Sequence, residues 1–444
     1  MKTFSVISLG CKTNQYDSEA IADTLESAGL AQVEPSVAAD LCVINTCTVT
    51  SVADKKSRQQ IKKAVRANPG AQVVATGCAA DNHSEKLGDI EGVTHVVTNG
   101  AKGRIPELLG LADGPSILKI SSFGNRTRAF LKVQDGCECY CTYCIIPYVR
   151  GEVVSRPLDE IEEEARRLVH AGHREIVLTG IHIGSYGLDQ NPRVGIDDIM
   201  ERLIPVDGLD RIRISSIEAK EFSGRLLGQI ASFPKLCPHF HIPLQSGSDL
   251  ILTRMKRRYR SDDLRQIVTR LNSMLSNVSY TTDVIVGFPG ETEEHFQMTL
   301  SLCREVGFSK IHIFPYSDRE GTPAVQMKDK CSPHVISERC TRLKALESEL
   351  AYAYKERFID QTVEVLIENE RDTRTGKLVG FTDRYLRVLM DGPDDWMKQI
   401  RPVKISSVES EVAHASTGYG AAASAGPVEL PVLNAAVQLG ISDS

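Results

Sequence analysis

No stretch of 18 apolar residues occurs anywhere in the 444-residue chain, which excludes a membrane-spanning helix. Nor is there an excess of basic charge. The 52 Lys and Arg face 58 Asp and Glu, a net of −6, so no global field draws polyanions and any nucleic acid must be met locally. No repeat at a solenoid period is present. A secretory leader is not expected either: Leu9-Gly10-Cys11 is like the end of a lipoprotein signal, but only Phe4 to Leu9 could form its apolar core, and serines interrupt it. The protein is expected in the cytoplasm, without a membrane partner. There its 12 cysteines stay reduced and must be read as metal or redox groups rather than disulfides.

What is present is ordinary globular composition, with 41% apolar and 25% charged residues and a length that implies two to four domains. Residues 1–115 alternate apolar runs with helical patterns: Phe4–Leu9 then Ser18–Gly29, Leu41–Ile44 then a basic helix from about Ser51, and Val73–Ala75 then a further helix. This βαβ rhythm predicts an α/β domain with a parallel sheet. Over residues 126–357 the alternation resumes with Phe130–Val133, Ile176–Thr179, Ile212–Ser215, Phe240–Ile242, Thr282–Val286 and Ile311–Phe314, followed by a helix over about Ser337–Phe358. Six such units predict a partial (β/α)6 barrel with its site at the carboxyl ends of the strands. Polar residues recur there: Thr179, Gly180, Glu218, Gln245, Gly287. Residues 358–412 hold short β runs between charged turns and predict a small β-barrel. Residues 413–444 are Ala/Gly/Ser-rich, without Lys or Arg, and are expected to form a disordered tail.

Cys11, Cys47 and Cys78 each follow an apolar strand run, 36 and 31 residues apart. Equivalent positions at three successive βα units bring three thiols to one sheet edge, the pattern of a shared metal site. Cys42 lies inside a strand run and is expected to be a core residue, and Cys237, Cys303, Cys331 and Cys340 are expected to pack. The densest set is Cys137-x3-Cys141-x2-Cys144, directly after the first barrel strand. Three thiolates can hold three corners of a four-iron, four-sulfur cluster and leave the fourth iron open for S-adenosylmethionine, whose reductive cleavage yields a deoxyadenosyl radical. Tyr143, between the last two cysteines, suits adenine packing. The alternative is a zinc knuckle with Cys139 as fourth ligand, which lacks a second Cys-x2-Cys pair.

The segments DGCECYCTYCIIPYVRG, SLGCKTNQYDSEA, INTCTV and ATGCAA resemble the radical S-adenosylmethionine methylthiotransferases, over about residues 1–412. The resemblance implies an auxiliary iron–sulfur cluster on Cys11, Cys47 and Cys78, a radical cluster on Cys137, Cys141 and Cys144, and a C-terminal RNA-binding TRAM barrel. Two 4Fe-4S clusters and S-adenosylmethionine are the implied cofactors, one S-adenosylmethionine supplying methyl and a second the radical. EIVLTGIH (Glu175 to His182) and HIFPYSDREGTPA (His312 to Ala324) are similar to segments of the branch acting on threonylcarbamoyladenosine in tRNA. Other branches act on isopentenyladenosine in tRNA or on a ribosomal-protein aspartate. The expected partner is a tRNA anticodon loop and the expected state a monomer, with the electron and sulfur donors unidentified. Arg319, in the second segment, is a candidate partner for the substrate carboxylate.

Cys139 departs from the family pattern. So does the TRAM region, whose 8 Lys/Arg against 11 Asp/Glu give little support to phosphate binding. Local patches must then serve: Lys55 to Arg66, with Lys62, Lys63 and Arg66, and RMKRRYR from Arg254 to Arg260. From a different class, a non-catalytic metal-binding RNA-binding protein would use the same residues as scaffold.

Overall fold

The computed structural model describes residues 1–417 apart from 117, 125 and 410. Its first unit is an all-parallel sheet of β1 (Thr3–Ser8), β2 (Ala31–Gln32), β3 (Leu41–Thr46), β4 (Gln72–Gly77) and β5 (His95–Val97), in the order β2-β1-β3-β4-β5. Alternation along β3 covers both faces. Leu41 and Val43 pack with Ile21 and Leu25 of α1 (Lys12–Ser27), whereas Cys42 and Ile44 pack with Ile61 and Ala64 of α2 (Ser51–Ala67). Thr50 caps α2, its hydroxyl accepting from Ala53 N–H at 3.1 Å. α1 begins six residues before the expected Ser18, because Thr13, Asn14, Tyr16 and Asp17 are buried polar residues that break the apolar period. Strand order reverses between β1 and β3, and ligands of open α/β sheets gather at such a switch point.

The central unit has β6 (Arg128–Lys132), a short hairpin of β7 (Gln134–Asp135) and β8 (Val154–Ser155), then β9 (Glu175–Thr179), β10 (Arg211–Ile214), β11 (His239–His241), β12 (Ser279–Val286) and β13 (Lys310–Pro315). β6, β9 and β10 form one parallel sheet, β11 to β13 another, and a parallel bridge between Ser216 and His241 joins them into six strands of an open barrel. Helices cover the outside. Ile161, Ala165 and Leu168 of the Leu158–His170 helix recur at helical spacing and are fully buried in the main core, the larger ones contributing roughly 1.5–3 kcal/mol each.

The Pro333–Glu356 helix leads to β14 (Thr362–Arg371), β15 (Leu378–Thr382), β16 (Arg387–Met390), β17 (Ile400–Val408) and β18 (Ala413–Ser416), a closed barrel in the order β14-β15-β16-β18-β17. β18 corrects the expected boundary at 412. Ala413 to Ser416 pairs with both β16 and β17 and so removes the barrel's free edges, a role that Ala-His-Ala-Ser does not announce by alternation. The tail expected beyond lies, from 418, outside the described residues. This barrel seals the amino-terminal ends of the central strands: Tyr385 stacks on His239 at 5.0 Å and lies 4.3 Å from the Arg213 guanidinium. Glu175, at the same end, accepts from Arg213 Nε at 2.9 Å. No helix among the described residues is long and apolar enough to cross a membrane.

Candidate active site

Cys11, Cys47 and Cys78 lie just past the carboxyl ends of the adjacent strands β1, β3 and β4. A Cβ on Gly10 (φ +96°) would stand 2.8 Å from Cys47 Sγ, so glycine alone lets this turn close on the thiol. The three thiols feel one another electrostatically. Burial pushes Cys47 up to about 12 and raises Cys78, while Arg150 opposes both shifts. The Arg150 side chain is fully buried. Its Nε donates to Cys78 Sγ at 3.3 Å and its Nη1 to both oxygens of Asp135 at 2.9 Å. A buried cation beside buried thiols favours their thiolates, the form that binds iron.

Asp135 stands two residues before Cys137, so Arg150 links Cys78 to the segment that carries the second cysteine set. Gly136 (φ +74°) admits no side chain, since a Cβ would fall 1.7 Å from Glu152 O, and the chain therefore folds back tightly under the cysteine loop. Burial pushes Cys144 up to about 12. Arg257 spans the other side, Nη1 to Cys141 Sγ at 3.2 Å and Nη2 to Glu218 Oε1 at 2.6 Å, with its buried Nε unpartnered among the described residues. Cys139 lies beside Cys137 and is also bonded to His182, Sγ to Nδ1 at 3.4 Å. Bonds from Cys139 and Glu221 outweigh burial and push His182 up to about 10.

A tetrahedral zinc with 2.3 Å bonds holds its sulfurs about 3.8 Å apart. Among the described residues Cys137, Cys139 and His182 come within 4.8 Å of one another, but neither cysteine trio does. Neither trio is therefore as compact as a single zinc site, and a guanidinium is aimed at a thiol of each.

Of the residues expected around a cofactor, Glu218 is tied to the cysteine loop through Arg257. Tyr143 packs edge-on to Phe288, ring centres 6.4 Å apart. Thr179 is buried at the end of β9, and Gly180 closes on Gln134, whose side-chain oxygen takes the next two backbone N–H groups. Gln245, in a left-handed turn at φ +61°, connects by backbone to Asp283 and Ile285. Gly287 lies against Ile336, and its N–H is held by Glu291 at 2.9 Å.

Arg319 corrects its expectation as a free partner for substrate. It is buried, with Nη1 2.6 Å from Asp54 Oδ2 and Nη2 on Thr48 Oγ1, both in the first domain. Its charge is already met. The RMKRRYR run is likewise smaller as a surface than as a sequence: only Lys256 and Arg258 are exposed. They help line a depression of about 330 Å³ with Tyr140 and Cys139. On α2, Lys62, Lys63 and Arg66 are all exposed and line a second depression of about 410 Å³. Sequence reasoning missed Arg150 and Arg257. Each lies inside a quoted motif, but only the fold brings it to a thiol.

Residues 131–303 match the model of the Radical SAM superfamily and residues 3–99 that of Uncharacterized protein family UPF0004. Among solved structures, the radical S-adenosylmethionine methyltransferase TsrM from Kitasatospora setae is similar at a TM-score of 0.55 and 13% identity, covering 73% of this chain and 77% of that one, a likeness of fold. An open six-strand barrel with a Cys-x3-Cys-x2-Cys loop at its carboxyl end thus defines a radical S-adenosylmethionine enzyme, with a [4Fe–4S] cluster and S-adenosylmethionine as cofactors. The threonylcarbamoyladenosine tRNA methylthiotransferase MtaB of Bacillus subtilis is 40% identical over 91% of this chain and 94% of its own, and that of Thermotoga maritima 35% over 93% and 96%. The tRNA-2-methylthio-N(6)-dimethylallyladenosine synthase of Pelotomaculum thermopropionicum is 33% identical over 93% and 97%. The chain belongs to the radical S-adenosylmethionine tRNA methylthiotransferase family.

Proposed function

We propose that this enzyme replaces the C2 hydrogen of N6-threonylcarbamoyladenosine, 3′ of the anticodon at tRNA position 37, with a methylthio group. An unactivated aromatic C–H does not yield to acid–base chemistry at neutral pH, and the radical generated from S-adenosylmethionine at the cluster supplies the missing reactivity. In this reading Cys137, Cys141 and Cys144 hold the radical cluster. Cys11, Cys47 and Cys78 hold an auxiliary cluster that carries the sulfur. The observation that carries the reading is Arg150, one buried side chain touching Cys78 on one side and the Asp135 carboxylate beside Cys137 on the other. Two thiol sets held this closely suit a reaction that needs a radical and a sulfur donor at one carbon.

The chain's own residues have distinct tasks. Arg150 and Arg257 favour the thiolates, Glu218 orients Arg257, and Tyr143, Thr179, Gly180, Gln245 and Gly287 border the space for S-adenosylmethionine. Lys62, Lys63 and Arg66 lie 11 to 15 residues beyond the start of α2, roughly 16–22 Å along its axis. They therefore suit the phosphates of the tRNA stem rather than the reacting base. The base itself would be splayed from the anticodon loop. The enzyme would act in the cytoplasm as a monomer.

The test is turnover by anaerobically reconstituted protein on two tRNAs, read by nucleoside mass spectrometry. Methylthiolation of the threonylcarbamoyladenosine tRNA and none of the isopentenyladenosine tRNA is expected, with about eight irons per chain. Equal or reversed turnover refutes the substrate. About four irons with full turnover refutes the second cluster.

A further inference from the structure

The β11–β13 face of the central barrel carries a polar group of side chains that the cysteine chemistry does not use. In the parallel register His241 lies beside Thr281 and Asp283 beside His312. Alternation puts these on one face, while Tyr280, Val284 and Val286 of β12 enter the core on the other. His241 is engaged on both sides, Nε2 to Asp283 Oδ2 at 3.3 Å and Nδ1 to Thr281 Oγ1 at 3.0 Å. His312 has no hydrogen-bond partner among the described residues, and burial lowers it to about 4, so its ring is neutral. Lys12, the residue after Cys11, acts electrostatically on both Asp283 and His312 and forms no ion pair among the described residues. Lys12, His241, Asp283 and His312 are all half-buried rather than sealed. The first domain thus lends a cation, next to a proposed cluster ligand, to a wall that offers an acceptor and a neutral imidazole.

Resting on the substrate class argued above, we infer that Lys12, Asp283 and His312 form the subsite for the amino-acid ureido substituent on the target adenine. Lys12 meets the carboxylate, and Asp283 and His312 meet the ureido N–H and hydroxyl groups. An apolar prenyl substituent in the same place would strip water from Lys12 and Asp283 and return nothing, which is how a polar site rejects an apolar analogue. A divalent cation is the rival occupant, since the donor atoms of His241, Asp283 and His312 lie within 4.8 Å of one another. The nearby Lys12 ammonium repels it.

The experiment measures Kd of the reconstituted enzyme, without S-adenosylmethionine, for anticodon stem-loops carrying threonylcarbamoyladenosine or plain adenosine. Wild type should prefer the modified loop by about tenfold or more, the scale of a charge-assisted hydrogen bond. Lys12→Gln and His312→Phe should bring the ratio toward one by weakening only the modified loop, and Lys12→Arg should restore it. A general loss of fold would weaken both loops alike. A preference retained in both Lys12→Gln and His312→Phe overturns the subsite alone, as does one zinc per chain bound by wild type and lost in His312→Phe. No preference in wild type, with turnover on the prenylated tRNA, overturns the substrate class beneath it.

Discussion

Arg319→Ala should loosen the first domain from the central barrel. The substitution leaves Asp54, 5% exposed, with Thr48 Oγ1 and His83 Nε2 at 3.3 Å as its remaining polar contacts. Removing one partner of a buried ion pair costs about 3–5 kcal/mol, because the other charge stays buried. At 1.4 kcal/mol per factor of ten this is roughly two to three and a half orders of magnitude in a local opening equilibrium. A chain of three units has no single unfolding free energy, so the effect is best read locally, as hydrogen exchange of the amides in the first turns of α2, where Asp54 sits. Asp54→Asn in the same background should recover most of the loss, since no charge is then left unpaired. An increase in exchange below about fivefold, with a fall in tRNA affinity instead, would refute the structural role and return Arg319 to the substrate.

Cys144→Ala should abolish deoxyadenosine formation, whereas Cys47→Ala should leave that cleavage and stop sulfur insertion; both are read by chromatography of the cleaved cofactor and the tRNA nucleosides. Cys139→Ser should retain both activities and its full iron content, because Cys139, although its thiol lies beside Cys137, is already bonded to His182; an iron deficit in that variant would make it a ligand. Reversing Lys62, Lys63 and Arg66 to Glu should weaken tRNA binding several-fold and flatten its dependence on log salt, measured by fluorescence anisotropy. Glu175 is pushed up by burial, but Arg213 and Arg128 more than offset this and hold its carboxyl below the usual range. A depressed folded value means stability present above the unfolded value of about 4.3 and lost as pH falls through the folded one. Glu175→Gln should therefore speed hydrogen exchange of the β9 and β10 amides relative to wild type at neutral pH, and the gap should close as the medium is acidified below about pH 4.

How much was legible in the chain alone follows from the range over which each feature is encoded. Strands β1, β3 and β4 of the first sheet, the six barrel strands and the candidate cysteines are local patterns: an apolar run, a turn, then Cys11, Cys47 or Cys78, and the Cys-x3-Cys-x2-Cys spacing of Cys137, Cys141 and Cys144. Periodicity and spacing carry these because each is complete within one βα unit. Arg319 reads as a surface arginine in a polar loop, and only the approach of Asp54, 265 residues away, consumes its charge. Arg150 reaches Cys78 across 72 residues and Arg257 reaches Cys141 across 116. Ala413 to Ser416 becomes a strand because β16 and β17 present free edges to it, not because of its own composition. Lys12 and His312 belong to different domains, and the charge of one reaches the other only once α1 has packed against β6. Hydrophobic period determines which face of an element is buried, but a charge acquires its partner only when distant segments are brought together, so the electrostatics of this site was decided by tertiary structure.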